Sequence, residues 1–383
     1  MNIDKSKWSK VKFGDIAIQQ KESVDIETTS LNRYIAGEHM DTEDIHLRKW
    51  GIVGDGYLGP AFIRKFEKGD ILYGSRRTYL KKVAVTDFDG ITANTTFVIT
   101  ANEKIINPRL LPFLMLSDGF TKHSIENSKG SVNPYINWKD IANYEFSLPS
   151  KEEQAHLAEL LCAADEVVER EKEELTNIDT FQTNYLKRKY EDVSQPLISF
   201  SDLVDVNPRI IKNSNKELLA SFISMSDVSN EGYILSKEDK PIKELEGNGF
   251  TPFEENDILF AKITPCMENG KGVITKDLTN GLGFGSTEFH VLRAKTQKDT
   301  KFCFYLSRMD FFRQLAERLM TGSAGQKRVQ SEFFEYYKFH APRLQDRFEI
   351  GERIDMLENM KWQIKKQIEL SQQLKIVLIN QIF

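Results

Sequence analysis

The sequence predicts an α+β protein with two similar mixed α/β domains in tandem, separated by two long antiparallel helices that form a coiled-coil-like spacer. Three observations predict this fold class: an internal repeat, two long intervals poor in Gly and Pro, and short β-type runs between turn residues. The predicted order is a first domain over 1–149, a central spacer helix over 150–195, a second domain over 196–342 and a C-terminal spacer helix over 343–383.

The internal repeat consists of short motifs that recur in the same order. Phe66–Tyr73 (FEKGDILY) has a relative in Phe253–Phe260 (FEENDILF), 187 positions later. Near the end of each half, Tyr144–Pro149 recurs as Tyr337–Pro342 at an offset of 193. Phe13–Ile16 also recurs as Phe200–Leu203 at an offset of 187, and Gly130-Ser131 recurs as Gly322-Ser323. Four such matches at nearly constant offset are hard to obtain by chance, so we predict two copies of one structural unit.

The globular parts of the two copies contain short β-type runs, such as Thr96–Ile99 and Glu288–Leu292, with Gly, Asn, Asp and Pro between them. Short helical patterns lie near 108–120 and 300–320. This mixture predicts α+β domains.

Each copy ends in an interval that favours a long helix. No Pro or Gly occurs from Lys151 to Gln195, and Gly351 is the only one after Pro342. Apolar residues spaced by threes and fours predict one apolar stripe per helix. Two such stripes favour antiparallel pairing of the helices with each other; the alternative is that each helix packs along its own globular domain. The predicted helix-pair residues are Leu157, Leu161, Val168, Leu175, Ile178, Ile350, Ile354, Leu357, Ile364 and Ile368.

Composition excludes several classes of protein. The 383 residues include 52 Lys+Arg and 57 Asp+Glu, and three cysteines that lie far apart. That cysteine pattern excludes a disulfide scaffold or a Cys-rich zinc module and favours a reducing compartment. No apolar run approaches the ~20 residues that span a bilayer, and the N-terminus has no hydrophobic signal core. We therefore expect a soluble cytoplasmic protein with no membrane partner.

Motifs of catalysis are incomplete. Gly54–Gly59 fits G-x-G-x-x-G, but Pro60 follows it and no helical periodicity begins there. Asn133–Tyr135 lacks the second proline of an amino-methyltransferase loop, and Glu238–Lys240 lacks the Pro-Asp that nuclease chemistry requires upstream. We predict no catalytic residue, no metal ligand and no cofactor in this chain. The alternative is a single-chain DNA methyltransferase or nuclease with unrecognised catalytic motifs.

Polar loops remain as candidate binding elements. Ser75–Lys82 combines four cationic residues with Tyr79, while Ser128–Asn133 and Thr321–Arg328 occupy the same place in each copy. Arginine forks suit guanine edges and phosphates, and lysines suit phosphates. The alternative for the basic segment is an exposed strand and turn. The predicted DNA-binding residues are Arg76, Arg77, Lys81, Lys82, Lys129, Ser131, Asn133, Lys262, Lys271, Ser323, Gln326, Lys327 and Arg328.

These residues resemble the specificity subunit of type I restriction-modification systems over essentially the whole chain. The most specific matches are Asp257–Gly272 (DILFAKITPCMENGKG), Gly285–Arg293 and Gly322–Val329 of the second copy. The chain departs from the family's Pro-x-x-Glu-Gln pattern at Pro342–Arg347, which leaves open how the C-terminal helix begins.

The resemblance implies two target-recognition domains, each reading one half of a bipartite, asymmetric site in double-stranded DNA. It implies that the helices hold the domains apart and dock two modification (methyltransferase) subunits. S-adenosylmethionine, ATP and Mg²⁺ are then expected on partner subunits, which include the restriction (translocase/nuclease) subunits. The chain itself would be a non-catalytic DNA-recognition subunit that directs DNA methylation.

The acidic balance of the chain, with a formal charge of -5, at first argues against nucleic acid as a partner. However, 151–192 holds 6 basic and 12 acidic residues, so the acidity lies on the first predicted helix. The rest of the chain is nearly neutral, which predicts local and modest DNA affinity in the isolated chain.

Overall fold

The computed structural model describes residues 3–190, 192–210, 215–323 and 325–383. The chain folds into two compact units, one formed by the residues up to 173 together with 365–383, the other by 174–364. Each unit contains one globular half of the chain and a stretch of each long helix. The predicted fold class, with two similar mixed α/β halves and two long helices, is confirmed.

The first unit contains one two-stranded and two four-stranded sheets. The strands are Ser9–Lys12 (β1), Ala17–Gln20 (β2), Arg33–Ile35 (β3), Gly51–Ile52 (β4), Phe62–Phe66 (β5), Ile71–Gly74 (β6), Val83–Val85 (β7), Gly90–Ala93 (β8), Thr96–Ala101 (β9) and Glu145–Leu148 (β10). In spatial order the sheets are β1-β10, β2-β9-β6-β7 and β4-β3-β8-β5.

The second unit repeats this arrangement strand for strand. Its sheets have the orders β11-β20, β12-β19-β16-β17 and β14-β13-β18-β15, so each label of the first unit reappears increased by ten. The two-copy prediction is therefore confirmed at the level of topology. The strands are Leu197–Ser199 (β11), Val204–Val206 (β12), Leu219–Ile223 (β13), Glu238–Pro241 (β14), Thr251–Glu254 (β15), Ile258–Ala261 (β16), Gly272–Ile274 (β17), Leu282–Gly285 (β18), Phe289–Ala294 (β19) and Lys338–His340 (β20).

Helices complete each unit. The helices are Phe13–Ile16 (α1), Leu111–Leu116 (α2), Asp118–Glu126 (α3), Trp138–Ala142 (α4), Lys151–Tyr190 (α5), Ile242–Leu245 (α6), Thr300–Arg308 (α7), Asp310–Arg318 (α8), Phe333–Tyr336 (α9) and Leu344–Ile382 (α10). Within the described ranges, none of them is both long and apolar enough to cross a membrane.

The repeated Phe-x-x-x-Asp motif forms the same turn before strand β6 of the first unit and strand β16 of the second. Each is an inner strand of its four-stranded sheet, and we call it the central strand of its unit. The Asp70 carboxylate accepts the Glu67 N–H at 2.8 Å, and Asp257 accepts the Glu254 N–H at the same distance. The residue before each aspartate has positive φ, which a glycine adopts without strain in the first unit. The recurring motif is thus explained by one turn, and the apolar residues after it enter a buried strand.

The two long helices run antiparallel within the first unit. The Lys375 ammonium lies 2.9 Å from the Asp165 carboxylate, and the Ser371 hydroxyl donates to Glu171 at 3.1 Å. The residue number rises along one helix while it falls along the other, which defines antiparallel packing. Asp165 and Lys375 are both buried, so this seam contains a charge pair as well as apolar side chains.

The same direction holds within the second unit. The Lys361 ammonium lies 2.7 Å from Asp179, and the Gln182 amide donates to Glu358 at 2.7 Å. The antiparallel arrangement that the sequence predicted is therefore confirmed for both helix stretches.

The predicted stripe residues contact both the partner helix and the globular halves. Leu157 and Leu161 share a core with Ile379 and Ile382 of α10 and with the first globular half. Both packing alternatives hold together, because one stripe is wide enough to face two neighbours. Ile350, Ile354 and Leu357 share the second core with α5, Val168 and Ile364 are also buried, and Leu175, Ile178 and Ile368 are half-buried.

At the start of α10, where the chain departs from the Pro-x-x-Glu-Gln pattern, an arginine and an aspartate make the contacts that a glutamine and an asparagine make at the start of α5. At the start of α5, Gln154 donates to the Pro149 carbonyl at 3.0 Å and accepts the Asn107 N–H at 2.7 Å. At the start of α10, Arg347 donates to the Pro342 carbonyl at 2.7 Å and pairs with buried Asp299 at 2.7 Å. Both long helices therefore begin in the same way, one with an amide and the other with an ion pair.

Candidate nucleic-acid interface

Each unit carries one polar hairpin in the region that the sequence predicted to contact DNA. We call residues 129–135 the first polar loop and residues 321–328 the second polar loop. In both, the first and last residues exchange two backbone hydrogen bonds, with N···O distances of 2.8 and 2.9 Å in the first and 3.0 and 2.8 Å in the second. Ala324 of the second loop lies outside the described residues.

Both polar loops pack against the segment that follows the central strand of their unit. The Arg77 N–H donates to the Pro134 carbonyl at 2.7 Å, and the Thr264 N–H donates to the Lys327 carbonyl at 3.1 Å. The offsets between these partners are the 187 and 193 positions found in the sequence repeat. The neighbouring bonds join Ile136 N–H to the Ser75 carbonyl and Val329 N–H to the Lys262 carbonyl, both at 2.9 Å. The structure therefore brings the same two segments together in each unit.

In the first unit, Arg76 and Arg77 are exposed at the edge of this frame. Among the described residues, neither guanidinium has a hydrogen bond or an ion pair. Ser131 and Tyr79 are also exposed, the tyrosine with 52% of its surface accessible. Two guanidiniums without such a partner can bind phosphates or base edges without first breaking an internal contact.

The predicted lysines of the first unit are already engaged. Lys81 pairs with Glu43 and Asp118, both at 2.8 Å. Burial lowers its pKa, but the hydrogen bonds that its ammonium donates to both carboxylates outweigh that effect, and the pKa is raised. Lys82 donates to the Gly37 carbonyl. Lys129 lies 3.2 Å from Asp140 and Asn133 is half-buried. A DNA role for these four residues stays a prediction. DNA would have to compete with the internal contacts that Lys81, Lys82 and Lys129 already make.

In the second unit the exposed polar side chains lie on the hairpin itself. Ser323, Gln326 and Lys327 are all exposed. The Lys327 ammonium has no ion pair within the described part of the chain. Gln and Lys present the donors and acceptors that suit base edges and phosphates.

The remaining predicted residues of the second unit support the loop internally. The Arg328 guanidinium pairs with Glu288 through bonds of 2.8 and 2.9 Å, and this hydrogen bonding lowers the pKa of the glutamate. Lys271 donates to the Met225 carbonyl at 2.8 Å, and Lys262 is half-buried. Contacts of these three residues with DNA stay predictions.

An open depression of about 410 Å³ beside the second polar loop contains residues that the sequence motifs did not single out. It is lined by Gln314, Glu317 and Arg318 of α8 together with Met320 and Lys327. Gln314 and Arg318 are four residues apart on one exposed helix face, and this spacing is the signal that would have found them.

One group in the first unit brings together donor atoms that suit a metal ion. Atoms of Asp44, His46 and Glu169 all lie within 4.8 Å of one another. The group also contains two cations, because Arg48 lies 2.8 Å from Asp44 and 2.5 Å from Glu169, and Lys172 lies 2.8 Å from Asp44. These positive charges balance the carboxylates, so the group is an ion-pair cluster between the 44–48 loop and α5.

Comparison with known proteins identifies the family. The family described as "Type I restriction modification DNA specificity domain" matches residues 5–180 and again 181–371. The chain is 36% identical over 148 residues to the type I restriction enzyme EcoEI specificity subunit of Escherichia coli, covering 38% of this chain and 24% of that protein. It is 37% identical over 172 residues to the EcoAI specificity subunit of Escherichia coli, covering 43% and 28%. The matched region thus spans about a quarter of the length of these relatives.

Solved structures support the same fold. A type I restriction-modification S subunit from M. genitalium has a TM-score of 0.59 at 13% identity and covers 98% of this chain and 96% of its own. A chain from a type I R-M system studied for complex assembly and conformational transition has a TM-score of 0.57 at 15% identity, covering 98% and 97%. Since the family match extends over nearly the whole chain in two consecutive copies, the chain belongs to the type I restriction modification DNA specificity domain family.

Proposed function

We propose that this chain is the DNA-recognition subunit of a type I restriction-modification complex, and that each unit reads one half of a bipartite, asymmetric site in double-stranded DNA. The observation that carries the proposal is the shared frame of the two polar loops. In each unit a polar hairpin bonds to the segment after the central strand, at 2.7 Å in the first and 3.1 Å in the second. A repeated frame with different exposed side chains suits two half-sites of different sequence.

The side chains at each frame suggest how the reading is done. In the first unit, Arg76 and Arg77 supply fork-shaped donors for guanine edges and phosphates. In the second, Gln326 and Lys327 supply one amide for a base edge and one cation for a phosphate. Phosphate contacts fix the position of each unit on the duplex, and base contacts supply the sequence preference.

The long helices are proposed to set the distance between half-sites. The 40 residues of α5 span about 60 Å at 1.5 Å per residue. Half-sites read from one face of DNA lie about one turn apart, ~34 Å. Residues inserted between Glu171 and Asn184 should therefore change the spacer between half-sites and leave the half-site sequences unchanged. An unchanged spacer would exclude this role for the helices.

Catalysis is proposed to belong to partner subunits. Two modification subunits would bind S-adenosylmethionine and methylate DNA, and restriction subunits would bind ATP and Mg²⁺, all in the cytoplasm. Exposed apolar side chains on the helices support docking of such partners, one patch in each unit. In the first unit Leu370, Leu374 and Val377 follow heptad spacing with 58%, 58% and 49% exposed, and in the second Met356 and Met360 have 57% and 39% exposed.

Reconstitution with and without the modification subunits tests this function. We expect methylation of DNA at one bipartite sequence by the complex, and neither methylation nor cutting by the pure chain with S-adenosylmethionine, Mg²⁺ and DNA. Modification or cutting by the chain alone would favour an enzyme. A complex that modifies DNA without sequence preference would exclude the recognition role.

A further inference from the structure

Two arginines lie behind the candidate DNA-reading segment of the second unit, residues 262–271. Arg313 of α8 has only 5% of its surface exposed. Arg308 ends α7 and is half-buried. Among the described residues, no carboxylate forms an ion pair with either guanidinium, so their charges are not held by a buried salt bridge.

The Arg313 guanidinium instead holds backbone carbonyls of the segment. It donates to the Met267 carbonyl at 2.9 Å and to the Lys271 carbonyl at 3.4 Å, and also to Ser307 of the α7 end at 2.6 Å. Its carbon centre lies 4.1 Å from the centroid of the Phe260 ring in the central strand. The Arg313 side chain thus connects strand β16, the end of α7 and the C-terminal part of the 262–271 segment.

Arg308 binds the carbonyl of Gly270, which lies between Met267 and Lys271 in the sequence. Its guanidinium donates to the Gly270 carbonyl at 2.8 Å and to the Asn230 carbonyl at 3.0 Å. Gly270 has a φ of +76°, which ends the turn that begins at Ile263. Three carbonyls close to the end of this turn therefore accept hydrogen bonds from the two arginines.

Placing this charge inside the unit is costly. Burial and, to a smaller extent, the neighbouring charge of Arg308 together lower the pKa of Arg313 to about 9, and Glu268 opposes both. Burial also lowers the pKa of Arg308. A buried cation without a carboxylate partner destabilises a fold unless it satisfies several acceptors. Here the two guanidiniums bind backbone carbonyls of the 262–271 segment, which indicates that the conformation of this segment matters for function.

The first unit has no such arginines. Phe120 and Phe312 occupy equivalent places, since Phe120 packs on Phe13 and Phe312 packs on Phe200, which lies 187 positions after Phe13, at centroid distances of 4.8 and 5.3 Å. One residue further on, the first unit has Thr121 where the second has Arg313, and the place of the other arginine is held by Leu116. The second copy thus differs from the first in having this arginine pair, and its segment between the paired strands is also two residues longer.

We propose that Arg313, assisted by Arg308, is a positioning residue that fixes the backbone of 262–271 for DNA reading by the second unit. The inference rests on the proposed function. Neither side chain needs to touch DNA. By fixing the carbonyls of Met267, Gly270 and Lys271, the pair holds the segment against the second polar loop and so determines the half-site that this unit prefers.

The test uses the full chain in complex with its modification subunits and a DNA library in which each half-site is randomised in turn. Arg313→Met keeps the packing on Phe260 but removes the donors and the charge. We expect preference in the second unit's half-site to fall by about 10-fold, the size of one base-pair preference, with the other half-site unchanged within about 2-fold. Arg308→Lys should give a smaller reduction in the same half-site, because it retains one donor.

Arg347→Met is the matched control, because Arg347 is a largely buried arginine of the same unit that pairs with Asp299 away from the segment. It should lower the thermal stability of the second unit without changing either half-site preference. Equal loss of preference in both half-sites, or unchanged preference in Arg313→Met at normal stability, would overturn the proposal. If Arg313→Met does not fold, Arg313→Lys decides in the same way. A wild-type complex without preference in either half-site would refute the proposed function itself.

Discussion

Replacing Lys375 by methionine removes the ammonium that faces Asp165 between the two long helices of the first unit. The Nζ atom lies 2.9 Å from the carboxylate, and both residues are at least nine-tenths buried. Methionine retains most of the length of the lysine stem, so the change removes the charge and creates little cavity. The remaining partner of Asp165 is His46, whose Nε2 lies 2.8 Å from the other carboxylate oxygen.

The size of the effect follows from these contacts. Breaking a buried pair by removing one partner costs about 3–5 kcal/mol, because the other charge stays buried without compensation. His46 still binds the carboxylate, so we expect a cost at or just below the lower limit of this range, about 2–3 kcal/mol. For a unit of this size that corresponds to a fall in Tm of about 4–12 °C, at 2–4 °C per kcal/mol. Replacing both residues, Asp165→Leu with Lys375→Met, should cost less than the single change.

The measurement is urea unfolding followed by tryptophan fluorescence in a Trp362→Phe background. The other tryptophans, Trp8, Trp50 and Trp138, all belong to the first unit, so the signal reports its unfolding. Exposed Lys366→Met on the same helix is the control and should cost less than about 1 kcal/mol. A cost below about 1 kcal/mol for Lys375→Met, or additive costs in the double variant, would show that the two charges are not coupled, because a coupled buried pair predicts neither.

Three further predictions concern pH, DNA and docking. The hydrogen bond to Asp165 raises the pKa of His46 above its ordinary 6.5, so its stabilising effect is complete below 6.5 and lost as pH rises through the raised value. The stability difference between wild type and His46→Gln should therefore shrink over that window in urea titrations, and a constant difference would contradict it. Arg76→Ala with Arg77→Ala should weaken DNA binding and reduce the slope of log K against log salt by about 0.9 for each phosphate that the variant no longer neutralises; unchanged affinity in a filter-binding assay would remove both residues from the interface. Leu374→Asp should abolish binding of one modification subunit in sedimentation without changing the Tm of the chain, and retention of both subunits would exclude this docking patch.

The repeat in the sequence predicted more than the number of copies. Because the turn before the central strand requires an aspartate in a fixed place, Asp70 and Asp257 recur and identify the same strand in each unit. The bonds of Arg77 and Thr264 add, as a finding of the structure, that each polar loop lies beside the segment after this strand. Turns with strict side-chain requirements leave a readable signal in the sequence, and this part of the fold could be derived from it.

Other features depend on contacts between distant parts of the chain. Counting apolar residues identified the helix stripe but passed over Asp165 and Lys375, since a seam position that holds a buried charge pair looks like a surface position in the sequence. Composition likewise marked Lys81 as a cation available to DNA, although Glu43 and Asp118 bind it. These partners are separated by up to about two hundred residues, and no local pattern connects them.

The two units present different chemistry on the same backbone frame. In the second unit, Arg328 of the polar loop forms an ion pair with Glu288. The first unit has Tyr135 in the place of Arg328 and Thr95 in the place of Glu288. The second equivalence follows from the backbone, because the Lys262 N–H donates to the Glu288 carbonyl and the Ser75 N–H donates to the Thr95 carbonyl. In the first unit, exposed Arg76 and Arg77 lie on the segment after the central strand, where the second unit has Ile263 and Thr264.

A unit that reads DNA with two free guanidiniums prefers different base edges from one that reads with an amide and an ammonium. In the proposed function, the backbone frame would fix where each unit contacts a duplex, and the side chains on it would determine which sequence is preferred. Two copies that agree in the frame and differ in these side chains are therefore suited to an asymmetric site. Exchanging the exposed residues between the units should exchange the half-site preference only if the supporting contacts, such as those of Arg313, are exchanged as well.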